Sequence, residues 1–202
     1  MTPIVRPQTY TAFAIALHWM TALAILALLA AGLWMTDAIR QPATKAFAFK
    51  VYQWHKSLGL IVLVLTALRL TWRLVNPPPP LPPGMSPIER LAANLTHATF
   101  YVLLFAIPLA GWAMVSASPL GLPTIVFGLF EWPHIPMLAN LTEKKSVEAL
   151  FRTAHELMAY GLIALLVLHI AAALKHHLVN RDDVLARMLP GVRSPASKSP
   201  EG

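Results

Sequence analysis

Ala154-His155-Glu156-Leu157-Met158-Ala159-Tyr160-Gly161-Leu162-Ile163-Ala164-Leu165-Leu166-Val167-Leu168-His169-Ile170 is the stretch that decides the fold. It is an apolar run with an imidazole toward each end. Fourteen steps at ~100° per residue return His169 to within ~40° of His155, and ~21 Å further along a helix axis. The two rings therefore share one face and sit near opposite ends of a membrane-length helix. An ionisable side chain inside such a run is costly in hydrocarbon, so each asks for a functional reason. His18 and His55 lie in two other apolar runs at the same depth, about one and a half to two turns from a span end.

Composition sets the class. The chain has 202 residues, 56% apolar and only 12% charged, too little polar surface for a soluble domain of this size. An integral membrane protein of one domain is expected. Cysteine is absent from the sequence, which excludes disulfides, thiolate-held iron–sulfur clusters and covalent haem attachment through C-x-x-C-H. The formal net charge of +7 does not imply nucleic acid, because the basic residues are scattered at span ends, where they flank a bilayer. The first apolar run is too long for the hydrophobic region of a signal peptide, and none is expected.

Four spans are predicted, at about 10–36, 47–75, 88–116 and 146–178, within a domain covering 8–180. A polar tail follows at 181–202, disordered toward its end. Residues 7–36 carry no charge. In the second span, Lys56, Arg69 and Arg73 can snorkel toward the surfaces. The run Pro77-Pro78-Pro79-Pro80-Leu81-Pro82-Pro83 cannot be helix and forms a stiff connection. Ser86-Pro87-Ile88-Glu89 is a helix start with a capping box, and Pro108 is expected to kink the third span. Residues 116–142 are apolar but broken by Pro119, Gly121, Pro123, Gly128, Pro133 and Pro136. They read as an interfacial loop anchored by Phe127, Phe130 and Trp132.

Four spans place both termini on one side. That side holds nine Lys and Arg, and the loop side seven, a bias that puts the termini in the cytoplasm. Alternating direction then decides which histidines meet. His18 and His169 lie toward the terminal side, His55 and His155 toward the loop side. Each pair offers two imidazoles at matched depth. Haem iron accepts two such axial ligands, and the filled coordination leaves no open site, which suits electron transfer. The fold class is therefore all-α, an up-down transmembrane four-helix bundle with two b-type haems. His97 sits at the same terminal-side depth, and spacing alone leaves it in competition with His18. His134 belongs to the Pro-rich loop. His176 and His177, at the boundary, are either interfacial polar residues or a proton-handling or quinone-contacting group.

These residues resemble the prokaryotic cytochrome b561 family of dihaem four-helix membrane proteins. The likeness lies in Ile15-Ala16-Leu17-His18-Trp19, Trp54-His55-Lys56-Ser57-Leu58-Gly59, His97-Ala98-Thr99-Phe100-Tyr101, His155-Glu156, Leu168-His169 through His176-His177, and Arg187-Met188-Leu189-Pro190. It spans nearly the whole chain in order. The resemblance implies haem ligation by His18 with His169 and His55 with His155, which takes the ligand role from His97. It also implies an inner-membrane location, electron exchange with ubiquinone, and a place for His176 beside the quinone. Some members resemble superoxide oxidases.

The leading expectation is thus an enzyme, a superoxide:ubiquinone oxidoreductase. Arg40, Lys45, Lys50, Lys56, Lys144, Lys145 and Arg152 on the loop side would attract a small anion, and Arg69 or Arg73 would pair with haem propionates. The alternative is a non-enzymatic haem carrier subunit joining a partner dehydrogenase or hydrogenase to the quinone pool. A histidine-based metal transporter is a third class, disfavoured because the spans lack the intramembrane carboxylates that commonly join such paths.

Overall fold

The structure is a computed structural model and describes residues 9–190. The end of the polar tail, expected to be disordered, lies outside the described residues, as do Arg6, Arg193 and Lys198 of the charge comparison.

Helix α1 (Ala12–Ala38) begins at Thr11, whose hydroxyl accepts from the Ala14 amide. Helix α2 (Lys45–Val75) returns across the bundle. Helix α3 (Pro87–Ser116) starts with the full capping box, Ser86 accepting from the Glu89 amide and Glu89 reaching back to the Ser86 amide. Pro108 lies inside it and leaves one carbonyl of the preceding turn without its helical partner. Strands β1 (Thr124–Val126) and β2 (Phe130–Trp132) form an antiparallel hairpin, then comes the short α4 (Pro136–Ala139). Helix α5 (Lys144–Lys175) runs on into a π-helical turn, His176–Asn180. The segment read as an interfacial loop thus has structure of its own. Its turn places Phe127 and Gly128 at positive φ, 48° and 79°, the signature of a hairpin turn in which glycine supplies the second position.

Helices α1, α2, α3 and α5 are long and apolar enough to cross a membrane. Their outward faces expose Leu23, Leu33, Val64, Val102, Val167 and Leu168, each by more than half, as lipid contact demands. Buried hydroxyls are satisfied within their own helices: Thr21 donates to the Leu17 carbonyl and Thr66 to that of Val62, both at 2.7 Å. Helix α1 packs on α2, α2 on α3, and α3 on α5.

The interior is organised in layers seven residues apart. The midplane core is Ile25, Val62, Leu104 and Leu162, one residue from each long helix. Seven residues toward the loop side, the same helix faces carry Gly32, His55, Gly111 and His155. Seven toward the terminal side they carry His18, Arg69, His97 and His169. A seven-residue interior repeat is the geometry of helices packed at shallow crossing angles, each layer meeting side chains from all neighbours.

Candidate haem sites

The loop-side layer brings His55 and His155 together with ring centroids 6.2 Å apart and planes at 64°. The two glycines of this layer make room for the rings. A Cβ on Gly111 would come within 3.2 Å of the His155 ring, and one on Gly32 within 3.4 Å of His55. His155 Nδ1 lies 2.9 Å from the Ile107 carbonyl, which can only accept, so Nδ1 carries the proton and the neutral ring presents its Nε2 lone pair. A histidine that ligates a metal is oriented by such a bond from its other nitrogen. Beside the pair lies ≈ 630 Å³ of atom-free space, part of it open to the outside, lined by Gly59, Tyr52, Lys56 and Trp112 among others.

The hairpin roofs this space. Thr124 and Trp132, a cross-strand pair, face into it. Helix α2 holds the roof down: Gln53 Nε2 and Lys56 Nζ donate to the Pro123 carbonyl at 3.1 and 2.8 Å, and Ser57 Oγ accepts from the Phe127 amide at 3.1 Å. Helix α3 holds the far end, with Trp112 Nε1 donating to the Pro133 carbonyl and Ser116 Oγ accepting from the Ile135 amide, both at 2.9 Å.

The terminal-side layer places His18 and His169 with centroids 6.4 Å apart, and His97 and His169 at 5.8 Å. Phe100 packs its edge on His169. The Arg69 charge acts on all three histidines, and Arg73 on His97. The Arg69 guanidinium lies 6.0 Å from the centre of the Tyr101 ring and makes no ion pair with a carboxylate among the described residues. Below this layer the segment after α5 forms a floor. Trp19 Nε1 donates to the Met188 carbonyl at 2.6 Å, and Arg187 donates to the Pro80 carbonyl while pairing with Asp183. His176 is buried in this floor, His177 is exposed and His134 half-buried.

Both layers fit a flat, apolar metal macrocycle. An iron bonded at about 2 Å to each of two imidazoles sets their centroids about 6 Å apart, the spacing found in both layers. His18 Nδ1 and His55 Nδ1 are buried without a hydrogen bond of good geometry, although the Leu28 backbone approaches His55. The profile of the prokaryotic cytochrome b561 family matches residues 9–191. The chain belongs to the prokaryotic cytochrome b561 family. It is 34% identical to cytochrome b561 homolog 2 of Escherichia coli (strain K12) over 91% of this chain and 92% of that protein. It is 31% identical to the probable superoxide oxidase CybB of Yersinia pestis, over 92% and 98%. Cytochrome b561 homolog 1 of E. coli K12 is 29% identical over 86% and 93%. Like the rest of the cytochrome b561 family, it is a multi-pass membrane electron-transfer protein that binds b-type haem.

Gly32, Gly59, Gly111 and Gly161 read in the sequence as permitting close helix contact or close haem approach, and Gly32 and Gly111 give clearance to the histidine rings. Trp132, read as an interfacial anchor, faces the roofed space. Ile107 as the carbonyl orienting His155, and Gln53 and Thr124 in the roof, were not singled out. Each of Gly32 and Gly111 stands two seven-residue steps beyond a histidine of its own helix, His18 and His97, and that spacing was the available signal.

Proposed function

We propose that this cytochrome b561 holds two haems b, one between His18 and His169 and one between His55 and His155, and passes electrons from superoxide outside the cell to ubiquinone. The observation that carries this reading is the pair of opposed imidazole couples, 6.4 and 6.2 Å apart, at the two ends of one bundle. A haem iron held by two imidazoles takes up and gives up one electron at a time with no position open to other ligands. The protein surrounds this with charge of suitable sign. Arg40, Lys45, Lys50, Lys144 and Lys145 on the loop side make no ion pair among the described residues, so their charge is free to concentrate a small anion there. Arg152 is paired with Glu148 and contributes less. Arg69, set among the terminal-side histidines, is placed to take a porphyrin carboxylate, with Arg73 behind it. The chemistry balances as two superoxide, one quinone and two protons giving two dioxygen and one quinol. The quinone would lie beside His176 on the terminal side, in the cytoplasmic half of the inner membrane, both termini facing the cytoplasm. The kinship with a probable superoxide oxidase supports the donor.

The test is quinol formation by the purified, haem-loaded protein supplied with superoxide and ubiquinone. Quinol above the uncatalysed rate is expected. Haem that is reduced by dithionite yet inert to superoxide would instead make the chain a carrier subunit for a partner dehydrogenase or hydrogenase.

A further inference from the structure

Reducing a quinone takes protons as well as electrons, and a bilayer interior supplies none. Among the described residues of the terminal side, buried His176 continues the helix stripe of the terminal-side site and pairs with half-buried Asp182 from the segment after the helix. His176 is seven residues beyond His169, thus on the same face of α5 and ~10 Å further toward the terminal surface. Its side chain is 11% exposed. The chain leaves regular α-helix at this residue, widening into a π-turn and reversing at Arg181, which sits at φ 54°. π-turns of this kind recur at functional sites because they re-aim one side chain at the cost of regular hydrogen bonding. The outcome here is that Asp182 folds back onto His176, its Oδ2 2.6 Å from Nδ1. The other carboxylate oxygen accepts from the Val184 amide at 3.1 Å, and the Asp182 amide donates to the His176 carbonyl at 3.2 Å. Asn180 Nδ2 lies 3.3 Å from the same Nδ1 and could only donate to it; the shorter, charge-assisted bond from Nδ1–H to the Asp182 carboxylate is the stronger of the two.

We propose that Asp182 is a positioning residue for proton delivery, holding His176 with Nδ1 as donor to its carboxylate so that Nε2 hands protons to the quinone. The proposal rests on the reading that quinone is reduced beside His176. Nε2 makes no hydrogen bond among the described residues and is left for an outside partner. For each quinone, two electrons arrive from two superoxide ions. Two O–H bonds form, and each proton leaves Nε2, whose N–H electron pair stays on the ring. The ring regains a proton from water at the terminal surface. The carboxylate holds the Nδ1 proton, so the ring cannot rotate away between transfers. Of the other charged groups of this end, Arg187 pairs with Asp183, Lys175 with Glu89, and Arg90 donates to the Pro82, Pro83 and Met85 carbonyls; Arg181 beside Asp182 is exposed, and Arg69 and Arg73 make no ion pair among the described residues.

The experiment is stopped-flow reoxidation of dithionite-reduced, haem-loaded protein by ubiquinone-1, comparing wild type with Asp182→Asn, Asp182→Glu, His176→Ala and the double variant Asp182→Asn/His176→Ala. Asp182→Asn is expected to slow saturating reoxidation about tenfold with the half-saturating quinone concentration and the haem spectrum unchanged. Asp182→Glu restores most of the rate, and the double variant is no slower than His176→Ala. A solvent isotope effect above roughly 2 is expected in the wild type, a measurement independent of how any variant folds. Equal rates in wild type and Asp182→Asn, a change confined to quinone affinity, or an isotope effect of unity overturns the proposal while leaving the quinone reading intact. Reduced wild type that quinone cannot reoxidise takes down both.

Discussion

Gly111 offers the sharpest test of the loop-side geometry. A Cβ placed there lies 3.2 Å from both Cε1 and Nδ1 of His155, tighter than ordinary carbon contact by a few tenths of an ångström. The ring has little freedom to yield, because Nδ1 is tied to the Ile107 carbonyl at 2.9 Å. For Gly111→Ala two effects oppose each other. Removing glycine from a helix interior stabilises by about 0.5–1 kcal/mol. Crowding a packed site costs about 1–3 kcal/mol. The net change in bundle stability should therefore lie between about zero and about 2.5 kcal/mol of destabilisation, with the loop-side haem spectrum altered. Gly111→Leu adds three further carbons where one is already too close, so His155 must leave its position. The haem count by pyridine haemochrome should drop from two to one per chain, with the terminal-side haem and the helical circular dichroism retained as internal controls. A leucine variant that keeps two haems with wild-type spectra would refute the clearance argument.

Replacing His18 by Ala should remove the terminal-side haem, whereas His97→Ala should leave two haems per chain; haemochrome counts on the two variants decide between them. Arg69→Gln withdraws a positive charge from the terminal-side layer and so disfavours the reduced iron. At roughly 10 Å and an effective dielectric constant near 20, spectroelectrochemistry should show that midpoint potential falling by about 70 mV, with the loop-side haem little changed. Ser57→Ala deletes the oxygen that accepts from the Phe127 amide, worth about 1 kcal/mol, and hydrogen exchange at that amide should accelerate several-fold.

The fold was legible because hydropathy and helix length in a bilayer leave few alternatives. The depth of His18, His55, His155 and His169, together with alternating span direction, was enough to set His55 against His155 and to bring His169 to the same end as His18 and His97. What spacing could not decide was the terminal-side partner, and the structure shows the physical reason: His18 and His97 both approach His169, at 6.4 and 5.8 Å. The seven-residue interior repeat was present in the sequence, running His18-Ile25-Gly32, His55-Val62-Arg69, His97-Leu104-Gly111 and His155-Leu162-His169. It is hidden by leucine and alanine on every face, since lipid-facing positions are as apolar as core ones. Arg69 stands out in that register as a terminal-side layer residue rather than a snorkelling flank. The hairpin was not legible. Its strands are three residues each and their pairing depends on Gln53 and Ser57, some seventy residues away in sequence. Nor does any local pattern announce that Asp182 returns to His176, because a π-turn has no strong residue signature.

The most direct test of the account is the optical and electron paramagnetic resonance spectrum of the purified chain, with haem quantified per polypeptide. Two low-spin haems b per chain, each bis-imidazole and distinct in potential, are predicted. A colourless protein after expression with ample porphyrin, or a chain that still holds two haems after loss of His55 and His155, would contradict it.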